Sequence, residues 1–296
     1  MSAVEEHFAT RRAAGLFDFS FMALYEFPGS EALERLQTRQ LRELRPGQIA
    51  YTLLLKDDGA VLIDATVWRL DEQRFWLFTG KPVPAGGRDR SGEHAILALQ
   101  GPRSGAVLAR LIGREAVAKL KYFHFTRKDS IMIGRLGFSG ELGYELLVPA
   151  AGASALRQRL LEAGRAEGLR ECSWTAADSL RIESGYVLFD REIDGRANPR
   201  ELGLERFVAS PGTFALRRQL VGLETFADRA PADLPAAAIT SECASPTTGK
   251  TIALAYVDPE SSSAGTMACV ADGRAARVAS LPFYDRERLR PRSAPL

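Results

Sequence analysis

Two carboxylates sit among strand-forming residues, where a charge is either exposed or chemically useful. Asp64 is flanked by apolar residues in AVLIDATVW, and Glu145 lies between Tyr144 and Leu146 in GYELLVP. Burying an isolated carboxylate is costly unless it is paired or serves a ligand, whereas on a solvated strand face it costs little. Residue type and spacing leave both readings open for each. Glu145 follows RLGFSGELG, with glycines at 137, 140 and 143. That spacing is not the Gly-x-Gly-x-x-Gly of a dinucleotide loop. The segment after it is short, β-prone and ended by Pro149, which predicts strand, turn, strand. The glycines permit positive φ and close approach of another backbone or a flat ligand. Glu141, within the turn, reads as a solvent-exposed charge.

Other chemistries are poorly supported. ASPTTGKT (244–251) resembles a phosphate-binding loop, but Ala244 replaces its first glycine. IALAYVD follows with strand alternation, where the true motif needs a helix. His7, His94 and His124 are far apart and lack local Cys or His partners, so no metal site is indicated. No Gly-x-Ser-x-Gly elbow occurs, and Ser139 reads as a turn residue. Asp178 and Arg181 have the spacing of a helical ion pair.

The elements that must position Asp64 and Glu145 are legible in outline. EALERLQTRQLREL (31–44) places four leucines on one predicted helical face, stopped by Pro46 and Gly47. YTLLLKDDGAVLIDATVWRL predicts a hairpin turning at Asp57-Asp58-Gly59. Residues 81–92 read as a loop, and two helices are predicted to close near Gly164 or Gly168 and at Gly185. From about Leu220, short strands separated by Pro, Gly and Ser predict an all-β C-terminal domain. RERLRPRSAPL reads as a loosely ordered tail. The expected division is a composite α+β region over 1–215 and a β-rich domain over 216–296. With 46% hydrophobic and 26% charged residues and a net charge of +2, the composition is that of an ordinary globular protein. Nothing in it demands nucleic acid or an anionic membrane as partner. Three scattered cysteines and no signal-peptide pattern give the expectation of a cytoplasmic protein.

Several stretches, in order, resemble the aminomethyltransferase (glycine cleavage T-protein) family: EEHFATRRAAGLFDFSFMALYEFPG, the hairpin, LALQGPRS, RLGFSGELGYELLVP, ADSLRIESGYVLFDREID, NPRELGLERFV and SPTTGKTIALAYV with LPFYD. The resemblance implies a ring-like, multi-domain α+β architecture with tetrahydrofolate in a central hole. It implies a folate-dependent transferase acting on a small amine, ether or thioether donor, with a carrier protein as a further partner. Asp64 matches the family's catalytic carboxylate and Glu145 its pterin-contacting glutamate. Tyr51, Phe138 and Tyr144 are candidate wall residues, with core packing an equal alternative for each, and Glu201 occupies a family motif. The chain departs from the pattern by starting some tens of residues late and being short around 81–92. Ile63 stands where many members have a second aspartate, and Ala177 where they have a ligand-contacting arginine; Arg196 or Arg200 could replace that cation. SPGTFALRRQLVGLE also replaces a usual lysine-containing stretch. A non-catalytic folate binder, or a ring fold holding another flat heterocycle or a protein partner, stays open.

Overall fold

The computed structural model describes residues 2–209, 213–231 and 233–296. The first of three β-assemblies is a six-stranded sheet, ordered β11 (Leu169–Glu171), β1 (Ala14–Asp18), β7 (His94–Gln100), β10 (Gly143–Pro149), β9 (Ile131–Gly134), β8 (Phe125–Lys128). The second is a five-stranded sheet, ordered β3 (Ile49–Leu55), β4 (Val61–Arg69), β5 (Arg74–Thr79), β2 (Ala23–Pro28), β6 (Arg88–Asp89). The third is a closed barrel of β12 (Gln219–Arg229), β14 (Thr251–Val257), β13 (Ala236–Ala244), β15 (Met267–Val270) and β16 (Arg274–Ala279). Closure leaves the barrel no free edge. The expected mixed α+β fold with a β-rich C-terminal domain is what the chain adopts.

Six α-helices pack against these assemblies: α1 (Ala3–Arg12), α2 (Glu31–Leu36), α3 (Ser104–Ile112), α4 (Arg114–Lys119), α5 (Ala153–Gly164) and α6 (Trp174–Glu183). A capping box between Ser2 and Glu5 starts α1. Ser173 accepts from the Ala176 N–H to start α6. One core lies between the first sheet and α3 to α5, with Leu99, Leu108, Tyr144 and Leu160 in it. A second joins the two sheets through Trp68, Phe78, Ala98 and Leu147, with Leu180 of α6 packed in. A third connects Leu53 and Val61 of the second sheet to Leu254 and Tyr256 of the barrel.

The seam between the first sheet and the barrel is ionic. Arg11 of α1 donates from Nη2 to Glu183 Oε2 (2.8 Å) and from Nη1 to Glu141 Oε1 (3.1 Å) and the Ser139 carbonyl (2.7 Å). Glu183 Oε1 accepts from Ser245 Oγ (2.5 Å) and the Thr247 N–H (3.1 Å) in the β13–β14 turn. That turn is the stretch resembling a phosphate loop, and its Ser245 hydroxyl and Thr247 N–H serve a buried carboxylate. Burial opposes ionisation of Glu183, yet hydrogen bonding from His7 and the charge of Arg11 hold it down at about 2.

Three expectations are corrected. Residues 31–44 are not one helix: α2 ends at Leu36, Gln37 becomes extended and bridges Leu54, and a short 3-10 turn spans Leu41–Glu43. Hydrogen bonding of Gln37 and Thr38 to Thr52 on β3 competes with the helix, while Leu33 and Leu41 still reach one core. Glu141 is buried, not exposed, and accepts from Tyr284 Oη at 2.7 Å as well as from Arg11. The tail is tied down: Pro291 is buried, Arg290 pairs with Glu141, and Arg135 donates to the Ser293 carbonyl.

Arg11→Met leaves Glu183 and Glu141 buried without their shared cation. The expected loss is about 3–5 kcal/mol of stability, read from urea unfolding midpoints. Lys119→Ala, which removes an exposed pair with Glu115, should cost less than about 0.5 kcal/mol in the same assay.

Candidate active site

The β3–β4 hairpin carries Asp64 to the site. Gly59 turns it at φ 81°, and antiparallel pairing sets Leu53 opposite Asp64 and Tyr51 opposite Thr66. Because strand residues alternate, Ile63, Ala65 and Val67 enter the core behind the second sheet, and Asp64 and Thr66 face the other way. Tyr51, diagonal to Asp64, donates from its hydroxyl to Asp64 Oδ2 at 3.0 Å. Asp64 lies on the wall of a cavity of about 1060 Å³, bordered by the first sheet's glycine turn, the second sheet, the barrel and the segment between them. Tyr51, Phe138, Tyr186 and Phe207 give this cavity aromatic walls. Tyr51 meets Phe207 edge to face at 4.7 Å, and Phe138 stacks on Tyr186 at 5.9 Å.

Enclosure makes Asp64 a weaker acid. Burial raises it to about 6, against the opposing effect of the Tyr51 hydrogen bond. Tyr51 in turn is driven well above its ordinary range, by burial first and then by the Asp64 charge, so its hydroxyl stays a donor. Glu145 is the more isolated carboxylate. It is 8% exposed, accepts from no donor among the described residues, and burial alone pushes it up to about 7. Its strand face is that of Leu147, which packs into the core joining the two sheets.

Tyr51, Asp64 and Phe138 are therefore brought together, and three other expected site residues do not join them. Glu145 is buried but does not lie on the present cavity wall. Tyr144 points to the opposite face of β10, fully buried in the core beneath α3. Adjacent strand residues cannot both face one pocket. Glu201 is saturated structurally: it accepts from the Asn198 N–H (3.0 Å), the Arg217 N–H (3.2 Å) and Arg217 Nε (3.1 Å). Its carboxylate has no free face to offer a ligand. Ala177 is buried in the apolar core, and no substitute cation is supplied by Arg196, which pairs with Asp194, or by Arg200, which donates to the Phe214 carbonyl. The glycines of the turn mainly accommodate protein. A Cβ on Gly137 would lie 1.9 Å from the Gln100 side chain, and one on Gly140, where φ is 77°, 2.1 Å from Ser184 Oγ. Gly137 and Phe138 alone carry the turn to the wall.

Tyr186, Phe207 and His124 also line the cavity and were not anticipated from the sequence. Tyr186 and Phe207 fall within stretches that carry the family resemblance, but residue type and spacing do not separate them, or His124, from ordinary core residues. No group of three or more His, Cys, Asp or Glu among the described residues could hold a metal ion.

This arrangement matches known proteins along nearly the whole chain. Residues 1–86 and 84–211 match the GCVT N-terminal domain, and residues 218–285 the glycine cleavage T-protein C-terminal barrel domain. The chain belongs to the glycine cleavage T-protein family. It is 35% identical to the aminomethyltransferase of Symbiobacterium thermophilum, with 96% of this chain and 89% of that protein covered. It is 32% identical to that of Streptomyces coelicolor, with 96% and 90% covered. Its fold matches the crystal structure of glycine cleavage system aminomethyltransferase T from Bartonella henselae with a TM-score of 0.81 and 27% identity, covering 96% and 90% of the two chains. The T-protein family is one of transferase enzymes, and its members bind tetrahydrofolate.

Both of these carboxylates, raised by burial, should cost the folded protein stability above neutrality. Each holds its proton more tightly when folded, so its contribution is most favourable below about pH 4 and falls as pH rises through about 6 for Asp64 and about 7 for Glu145. Asp64→Asn and Glu145→Gln should each be about 1–3 kcal/mol more stable than the parent at pH 8, with the gap closing near pH 4. Urea unfolding across that range measures it.

Proposed function

We propose that this chain is a tetrahydrofolate-dependent one-carbon transferase, moving an aminomethyl or methyl unit from a small amine, ether or thioether donor. The observation carrying this reading is a weakly acidic carboxylate, Asp64, oriented by Tyr51 on the wall of an aromatic cavity large enough for a pterin. The second carboxylate suits the pterin as well. A pterin edge presents a 2-amino group and a ring N–H side by side, and Glu145 has both oxygens without a donor among the described residues. Contact there requires the ring edge to pass beyond the present wall, on which Glu145 does not lie.

When bound, tetrahydrofolate supplies the nitrogens that carry the carbon. The protein's share is placement and proton handling. Tyr51 holds Asp64 Oδ2 in one orientation, and Asp64 directs the donor nitrogen and takes up the proton released during transfer. An acid strength near 6 leaves Asp64 ionised at neutral pH yet able to hold a proton inside the cavity. Tyr51, Phe138 and Phe207 exclude water and offer flat apolar surface. The partners in this reading are the donor and a carrier protein that delivers it. The free cysteines Cys172, Cys243 and Cys269 fit a reducing, cytoplasmic setting.

Calorimetric titration with tetrahydrofolate is the test, and failure to bind it overturns the proposal. Glu145→Gln is expected to weaken binding by about ten- to a hundredfold, the equivalent of roughly 1.5–3 kcal/mol for one charge-assisted contact. Asp64→Asn should bind within a few-fold of the parent and lose at least about tenfold in turnover across a panel of donors. Unchanged turnover in that variant removes Asp64 from the mechanism.

A further inference from the structure

Among the described residues, the two large aromatic side chains left most open to water are Phe21, 48% exposed, and Trp174, 42% exposed, and they touch one another. Phe21 sits in the turn between β1 and β2, and Trp174 is the first residue of α6. Glu6 of α1 accepts from the Ser173 N–H at 2.7 Å and from its hydroxyl at 2.5 Å, which fixes the start of α6 and the position of Trp174. Contiguous aromatic surface held open in this way marks an interaction site. Phe21, Trp174 and the buried Phe19 form a three-sided corner. Phe21 and Trp174 meet at 5.3 Å and 88°, Phe19 and Trp174 at 6.2 Å and 71°, and Phe19 and Phe21 at 5.9 Å and 62°. With Phe17, Asp18 and Cys172 they line a hollow of about 110 Å³, which shares no lining residue with the large cavity.

The charge around the hollow is negative. Asp18 lines it, and the Cys172 thiol on its wall is pushed up to about 11, by burial first and with help from the charges of Glu6 and Glu171. Among the described residues, the one salt-bridge partner of these three carboxylates is Arg157, shared by Asp18 (2.5 Å) and Glu171 (2.8 Å). Aromatic faces carry the negative part of the ring quadrupole, so an aromatic corner in a negative field attracts a cation. The walls also select the cation. Asp18 already accepts from Arg157 and from the Ser20 N–H, so the hollow offers little to the three N–H donors of a plain ammonium. A methylated ammonium lays methyl groups against the rings and needs no acceptor.

We infer that this hollow binds the head group of a small quaternary ammonium compound. Its volume, about a tenth of the large cavity's, suits one head group with the substituent left in solvent. Folate has no part in this recognition. Trp174 also stacks on Phe138 at 6.5 Å, so an occupant rests one ring away from the wall of the large cavity.

The test titrates the full chain, without folate, with choline and with its uncharged isostere 3,3-dimethylbutanol, by calorimetry. Choline should bind with a Kd of about 1 mM or tighter, and the isostere at least about tenfold more weakly. Trp174→Leu and Phe21→Leu keep apolar bulk at exposed positions and should hold the parent's thermal midpoint, yet each should weaken choline binding at least about fivefold. A peptide carrying trimethyllysine should bind no more tightly than choline. No saturation by choline up to about 50 mM overturns the inference, as does equal affinity for the isostere or unchanged choline binding in either leucine variant. The isostere comparison decides the matter in the parent alone. A trimethyllysine peptide that binds more tightly than choline overturns the small-molecule assignment in favour of a protein partner.

Discussion

The architecture depends on one buried cation. Arg11 is shared between Glu183 and Glu141, which lie on different elements, and Glu183 in turn holds the barrel's β13–β14 turn through Ser245 and Thr247. Two apolar cores join the second sheet to its neighbours, and this polar seam joins the first sheet to the barrel. Apolar contacts tolerate small slides. A guanidinium with five directed donors does not, so the ionic seam sets the registration of the assemblies around the cavity. The surrounding hydrogen bonds matter as much as the charges, because a buried pair with unsatisfied lone pairs would be a net cost.

Against that satisfied network, Asp64 and Glu145 stand out by contrast. Glu183 is held strongly acidic by His7 and Arg11, whereas burial alone drives Glu145 the other way and Asp64 has only a tyrosine hydroxyl to oppose the same effect. Structural carboxylates in this fold are surrounded by donors, as Glu201 also is. Poorly surrounded carboxylates near a cavity are the pattern expected where the missing partner arrives from solution.

Much of this was readable from the residues, for reasons that differ by element. The hairpin is set by Asp-Gly between alternating strands, and its alternation already puts Asp64 on the face opposite Ile63 and Ala65. The barrel strands announce themselves by short β-prone runs between Pro, Gly and Ser. The same period-two rule argues against placing both Tyr144 and Glu145 in one pocket, and Tyr144 is indeed core. Glu141 was not readable, because its partners Arg11, Tyr284 and Arg290 are 130, 143 and 149 residues away. The interrupted helix at Gln37 likewise reflects threonine partners on β3 that no local window contains.

The ionic seam also bears on how the chain is made. Arg11 leaves the ribosome early, Glu141 and Glu183 midway, and the strap residues Tyr284 and Arg290 late. Until the strap emerges, Glu141 has only Arg11 of its three charged or hydroxyl partners, and the contacts of Tyr284 and Arg290 are unmade. The seam is thus completed only at the end of synthesis, and before that the apolar faces beside it are open to chaperones and to one another.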